Sequence, residues 1–215
     1  MRRKLPFSHL LHDHEELANT ITHGLGVVLG IGFVPVLITW AVLFGEARHV
    51  WGVSIFSASL LALYLFSTLY HAFHTPKIKK LFHILDHIGI YFLIAGSYTP
   101  FLLWFLESGD SILFLSIIWG IALVGSALKL FFTGKFRIIS TLAYVGMGWM
   151  IVFFGEPVFS ALSTPAIIWL VIGGSAYTLG VIFFLWKNLR FSHAIWHVFV
   201  LVGSTSHFIS VFYSI

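Results

Sequence analysis

The 215-residue chain is 59% hydrophobic and only 9% charged, with a mean hydropathy of +0.97 and a formal net charge of +4. Those values lie far outside the soluble globular range and identify a polytopic membrane protein. Because the chain has no cysteine, disulfides and thiolate metal sites are excluded, and any metal must be held by nitrogen and oxygen.

The chain reads as a polar, basic tail over residues 1–21 followed by one transmembrane domain over residues 22–215. The tail is not expected to be a cleavable signal, because the apolar run after it is long enough to span. Seven apolar segments of membrane length follow in order: Thr22–Phe44, Trp51–Phe73, Leu81–Leu106, Ser111–Phe132, Ile138–Gly155, Ala166–Trp186 and His193–Ile215. The breaks between them carry Gly, Pro and charge, for example Thr75-Pro76-Lys77, Glu107-Ser108-Gly109-Asp110 and Ser163-Thr164-Pro165. The segments are too long and too uniformly apolar for barrel strands, so the expected fold class is an all-α integral membrane protein, a seven-helix bundle.

Charge sets the orientation. Eleven of the twelve Lys and Arg residues fall in the tail (Arg2, Arg3, Lys4) and in alternate connections (Lys77, Lys79, Lys80, Lys129, Lys135, Arg137, Lys187, Arg190), and only Arg48 falls on the opposite face. Positive residues stay cytoplasmic, so the amino terminus is expected inside and the carboxyl terminus outside. The pI near 9.4 therefore reflects topology. No basic stripe interleaved with stacking aromatics is present, and no nucleic-acid partner is expected.

Asp86 is read as the one carboxylate inside an apolar span; the other seven acids fall in the tail or in breaks. A carboxylate in hydrocarbon costs several kcal/mol unless it is paired, hydrated or beside a metal. With the orientation above, His71 ends the second span, His83, Asp86 and His87 begin the third, His193 and His197 begin the seventh, and Glu16, Asn19 and His23 lead into the first. All share one membrane depth. His193 and His197 are spaced i, i+4, on one helix face and within reach of one ion. With His71 they make three nitrogen ligands and leave a position open, as in catalytic zinc sites. Asp86 would hold or deprotonate a water there. Ser67, one turn before His71, would hydrogen-bond beside the ligands.

Taken singly, these residues have plainer readings: headgroup-level histidines, or an aspartate hydrogen-bonded between helices. Their convergence on one leaflet favours the metal. Of His83 and His87, at most one is expected to approach the site. His9, His12, His14, His49 and His74 are read as solvated, and His207 as a satisfied polar residue remote from the cluster. Small residues such as Gly120, Gly125, Gly173, Gly174 and Gly180 are read as helix-packing positions, and Pro100 as a kink in the third helix.

Three motifs then stand out in order along the chain: Glu16-x-x-Asn19-x-x-x-His23, Ser67-x-x-x-His71 followed by Asp86, and Ser192-His193-x-x-x-His197. They resemble those of the hemolysin III family, the bacterial branch of the progestin and adipoQ receptor superfamily, which includes the adiponectin receptors. The resemblance implies a zinc ion held by His71, His193 and His197, with Asp86 contacting it through water and Ser67 nearby; it gives Glu16, Asn19 and His23 no defined role. It also implies a multi-pass protein of a bacterial cytoplasmic membrane. Eukaryotic relatives are associated with hydrolysis of lipid amides such as ceramide, so the leading expectation is a zinc-dependent hydrolase of a lipid amide or ester, with membrane lipids as partners. The rivals are a pore-forming or haemolytic protein and a zinc-containing receptor or membrane-state sensor without turnover. Adipokine recognition is not implied, because the long amino-terminal region of the eukaryotic receptors has no counterpart here.

The orientation is open to cysteine scanning, since the native chain offers no background thiol. Cysteines placed at Lys79, Lys135 or Arg190 should resist an impermeant reagent in intact cells and react after permeabilisation. Labelling at Lys79 in intact cells would invert the topology and break up the shared-depth site.

Overall fold

The computed structural model describes residues 6–104 and 109–215. Arg2, Arg3 and Lys4 of the topology argument, and the Glu107-Ser108 part of the third break, lie outside the described residues, as do the side chains of His9 and His12. Eight helices and no strands are found among the described residues: α1 (Pro6–Phe44), α2 (Ala47–Ala72), α3 (Pro76–Trp104), α4 (Gly109–Phe132), α5 (Arg137–Gly148), α6 (Ile151–Ala161), α7 (Thr164–Leu185) and α8 (Ser192–Phe212). Six of them are long and apolar enough to cross a membrane. The protein is an all-α membrane bundle.

Two elements differ from the sequence reading. The stretch from Pro6 onward, read as a tail, is helical and continuous with the first span. Proline suits the first helical position, where its missing N–H costs nothing. The fifth span, expected as one helix over Ile138–Gly155, is instead the pair α5 and α6, joined at Trp149-Met150. Gly146 and Gly148 weaken the helix just before the join. The pair extends to Ala161, about 37 Å of helical rise. Glu156, read as lying in a break, therefore sits inside α6 with an exposed side chain. The apolar pattern stops at the acid; the backbone does not.

The broken helix is stitched by one side chain. In hydrocarbon, backbone groups freed by a helix break must find partners within the protein. Tyr98 of α3 supplies them: its hydroxyl accepts the Ile151 N–H at 3.0 Å and lies 2.7 Å from the Gly148 carbonyl and 3.1 Å from that of Met147.

The helices close a ring, in which α1 packs on α2, α2 on α3, α3 on α5, α5 on α7, α7 on α8 and α8 on α1, while α4 packs against α3. Glycines allow the tightest approaches. A Cβ on Gly52 would stand 2.8 Å from the Pro100 backbone, and one on Gly125 would enter the Tyr91 ring at 2.4 Å. Gly120 and Gly174, read as packing positions, face open space instead. Through Pro100, α3 remains helical to Trp104. Large apolar side chains on the outside, among them Val28, Phe131, Phe153 and Val171, form the lipid-facing surface.

Tyr98→Phe keeps the ring and removes only the bonds to the join. It should cost about 1–3 kcal/mol of unfolding free energy, read by denaturant unfolding in detergent micelles. Unchanged stability would show that the break needs no stitch.

Candidate metal centre

The end of α2, the early turns of α3 and α8, and one face of α1 bring the polar residues together. His71 lies in the last turn of α2, Asp86 and its neighbours in the early turns of α3, His193 and His197 in the first turns of α8, and Glu16, Asn19 and His23 on one face of α1. The start of α8 is held by an unexpected group: Glu15 accepts the Phe191 N–H at 3.2 Å. Phe191 has a left-handed backbone, φ 55°, which a non-glycine residue rarely adopts. Fixing that turn aims the first turn of α8 and with it His193.

One potential ligand atom from each of His71, His193 and His197 lies within 4.8 Å of the others. Two of the three imidazoles are held through Nδ1. His71 Nδ1 donates to Glu16 Oε2 at 3.0 Å, and its Nε2 is buried without a hydrogen-bond partner. His197 Nδ1 is 3.0 Å from Thr22 Oγ1 and 3.3 Å from the Asn19 carbonyl. The Thr22 hydroxyl already donates to the Ala18 and Asn19 carbonyls, so it accepts from His197 and leaves that Nε2 lone pair free. Outer partners that fix a tautomer in this way are typical of metal-ligating histidines. Three imidazoles with ligand atoms this close make a donor set that would suit a zinc ion.

Asp86 is 7% exposed and is not part of the three-histidine group. Ser67 is fully buried and faces the Asp86 carboxyl, but its hydroxyl reaches no hydrogen-bond partner. Glu16 acts beside His71 and also pairs with Lys79 at 2.9 Å. Asn19 contributes its carbonyl, while its Oδ1 is buried and unpaired. His23 stacks on His197 with ring centroids 3.5 Å apart, and neither of its nitrogens has a partner.

The site forms one end of a cavity of about 560 Å³. Both His83 and His87, spaced i, i+4 on α3, line it. His87 Nδ1 is 3.6 Å from Asp86. Lys129, read as a loop charge, lies within α4, is 4% exposed and donates to Ser140. Thr22, Glu15 and Lys79 were missed as participants. Treating the tail as helix would have exposed the first two, since residues 15, 19, 22 and 23 share one face at helical spacing.

A family model described as haemolysin-III related matches residues 11–208. The chain belongs to that family. It is 47% identical over 199 residues to Hemolysin-3 of Bacillus cereus, covering 93% of this chain and 91% of that protein. It is 44% identical to the Hemolysin-3 homolog of Bacillus subtilis (strain 168), covering 93% of each chain. It is also 29% identical to human monocyte to macrophage differentiation factor, over 92% of this chain and 83% of that one. No solved structure shows a significant match.

If the three imidazoles bind zinc, the wild type should hold one ion per chain, and the His193→Ala/His197→Ala double variant should lose it. Glu16→Ala should weaken affinity about 10–100-fold by freeing the His71 ring. Competition titration with a zinc chelator reads both. Equal zinc content in the wild type and the double variant would sink the assignment.

Proposed function

We propose that this family member is an integral-membrane zinc hydrolase that cleaves a lipid amide or ester near the cytoplasmic headgroups of the cell membrane. The observation that carries the reading is the convergence of three imidazoles at the polar end of an otherwise largely apolar cavity, with a buried carboxylate alongside. The amino terminus is assigned to the cytoplasm from the charge pattern, and that assignment sets the depth of the site.

His71, His193 and His197 would hold the ion, which when bound supplies a Lewis acid for a carbonyl oxygen and lowers the pKa of water. The protein's own groups do the rest. An Asp86 carboxylate oxygen takes a proton from the attacking water and returns it to the departing amine or alcohol. Ser67, with no other partner, is free to donate to Asp86 and keep that carboxylate oriented. Glu16 and Thr22 hold the two imidazoles in the ligand-competent tautomer. The apolar walls, including Leu93, Ile94 and Phe184, accommodate an acyl chain and keep bulk water from the reacting bond. The ring's sparsest seams are those α5 makes with α3 and α7, which suits lateral entry of a lipid.

A second reading, membrane lysis, is supported by the name of the Bacillus cereus relative. Dye release from lipid vesicles that is equally strong for wild type and Asp86→Asn would favour it.

Purified full-length protein should release fatty acid from a lipid amide or ester in a zinc-dependent way. Asp86→Asn should retain zinc and thermal stability while turnover falls by about 10²-fold or more. Unchanged turnover in a folded, zinc-loaded Asp86→Asn protein would remove Asp86 as the base. No release by wild type across lipid amides and esters would sink the hydrolase reading.

A further inference from the structure

The cavity has a second polar end. His207 of α8 and Tyr177 of α7 both line it, ten residues beyond His197 on α8 and therefore roughly 15 Å further along the helix. Both are seated by matching glycines. The His207 ring rests on Gly173, where a Cβ would stand 2.2 Å from it, and the Tyr177 ring rests on Gly203, where a Cβ would stand 2.8 Å away. The rings meet edge to face at 5.3 Å. Each glycine is four residues before the polar ring on its own helix, so the α7–α8 seam is shaped to hold this pair.

Neither residue is satisfied. Both His207 nitrogens and the Tyr177 hydroxyl are sealed from solvent without a hydrogen-bond partner. Ser204, which bonds Tyr64 and donates to the Leu201 carbonyl, is near Tyr177 but beyond hydrogen-bond distance. The Leu170 carbonyl near His207 does not reach hydrogen-bond geometry. His207 is remote from the three-histidine cluster, as the sequence reading has it, but it lines the same cavity. Unpaired polar groups at this depth cost several kcal/mol unless something enters to pair them. The wall between the two polar ends is hydrocarbon-like, with Val181 on α7 and Val200 on α8. That wall suits an acyl chain.

We propose that His207 and Tyr177 form a second recognition site, which takes a hydroxyl or keto oxygen carried in the distal half of the acyl chain of the bound lipid. The proposal rests on reading the cavity as a lipid site, but not on turnover. A separation of roughly 15 Å is half the ~30 Å hydrocarbon core, the depth one acyl chain reaches from the headgroup level. The preferred ligand class is therefore an oxygenated fatty acyl lipid, bonded at both ends of the cavity.

The test is equilibrium binding of radiolabelled stearic, 2-hydroxystearic and 12-hydroxystearic acids to the purified full-length chain in detergent micelles, with and without a chelator. Wild type should bind 12-hydroxystearic acid about tenfold more tightly than either other acid, as one good hydrogen bond to a buried group allows. The preference should persist without metal, which separates this proposal from the hydrolase reading. Tyr177→Phe, which removes a single oxygen, and His207→Leu should each shrink the ratio toward one. Equal binding of the three acids by wild type would overturn the proposal, and so would a ratio unchanged in both variants.

Discussion

In a hydrocarbon surrounding, a polar group that leaves water must find its partner inside the protein, and much of this structure follows from that constraint. Helices satisfy the backbone wherever they are unbroken. Where α5 gives way to α6, Tyr98 supplies the missing bonds. Many polar side chains line a shared cavity, and the outer surface is rich in Val, Leu, Ile and Phe. Several polar atoms still unpaired, in His71, Asn19, His23, Tyr177 and His207, belong to residues that line that cavity.

The proposed metal centre is preorganised from outside. Glu16, Thr22 and Asn19, all on α1, reach the imidazoles of α2 and α8, so the first helix acts as a template for ligands carried by its two neighbours. Glu16 also joins Lys79 of α3, tying three helices through one carboxylate. That network accounts for the first motif, whose residues do not themselves join the three-histidine group. Glu15 adds a further tie by holding the strained turn at Phe191, from which α8 begins.

Much of the site was legible before the fold. His71, His193, His197 and Asp86 announced themselves because charge patterning sets topology, and topology places sequence-distant residues at one depth. The i, i+4 spacing of His193 and His197 added a shared face. The supporting residues were not legible in the same way. Thr22 is an ordinary helix residue until α8 lies beside it, and Lys129 reads as a topological charge until α4 is seen to carry it inward. His83 and His87, spaced i, i+4, share one face of α3, and both line the cavity.

Composition and the spacing of apolar runs were enough to establish an all-α membrane bundle, because a 30 Å hydrocarbon layer leaves few ways to satisfy a backbone. They could not reveal that the fifth span is broken, since a join stitched by a tyrosine two helices away leaves the apolar pattern intact. Nor could they reveal that His207 belongs to the same cavity as His197. That depends on Gly173 and Gly203 letting α7 and α8 close on each other's rings, a contact between helices that no periodicity within one helix records.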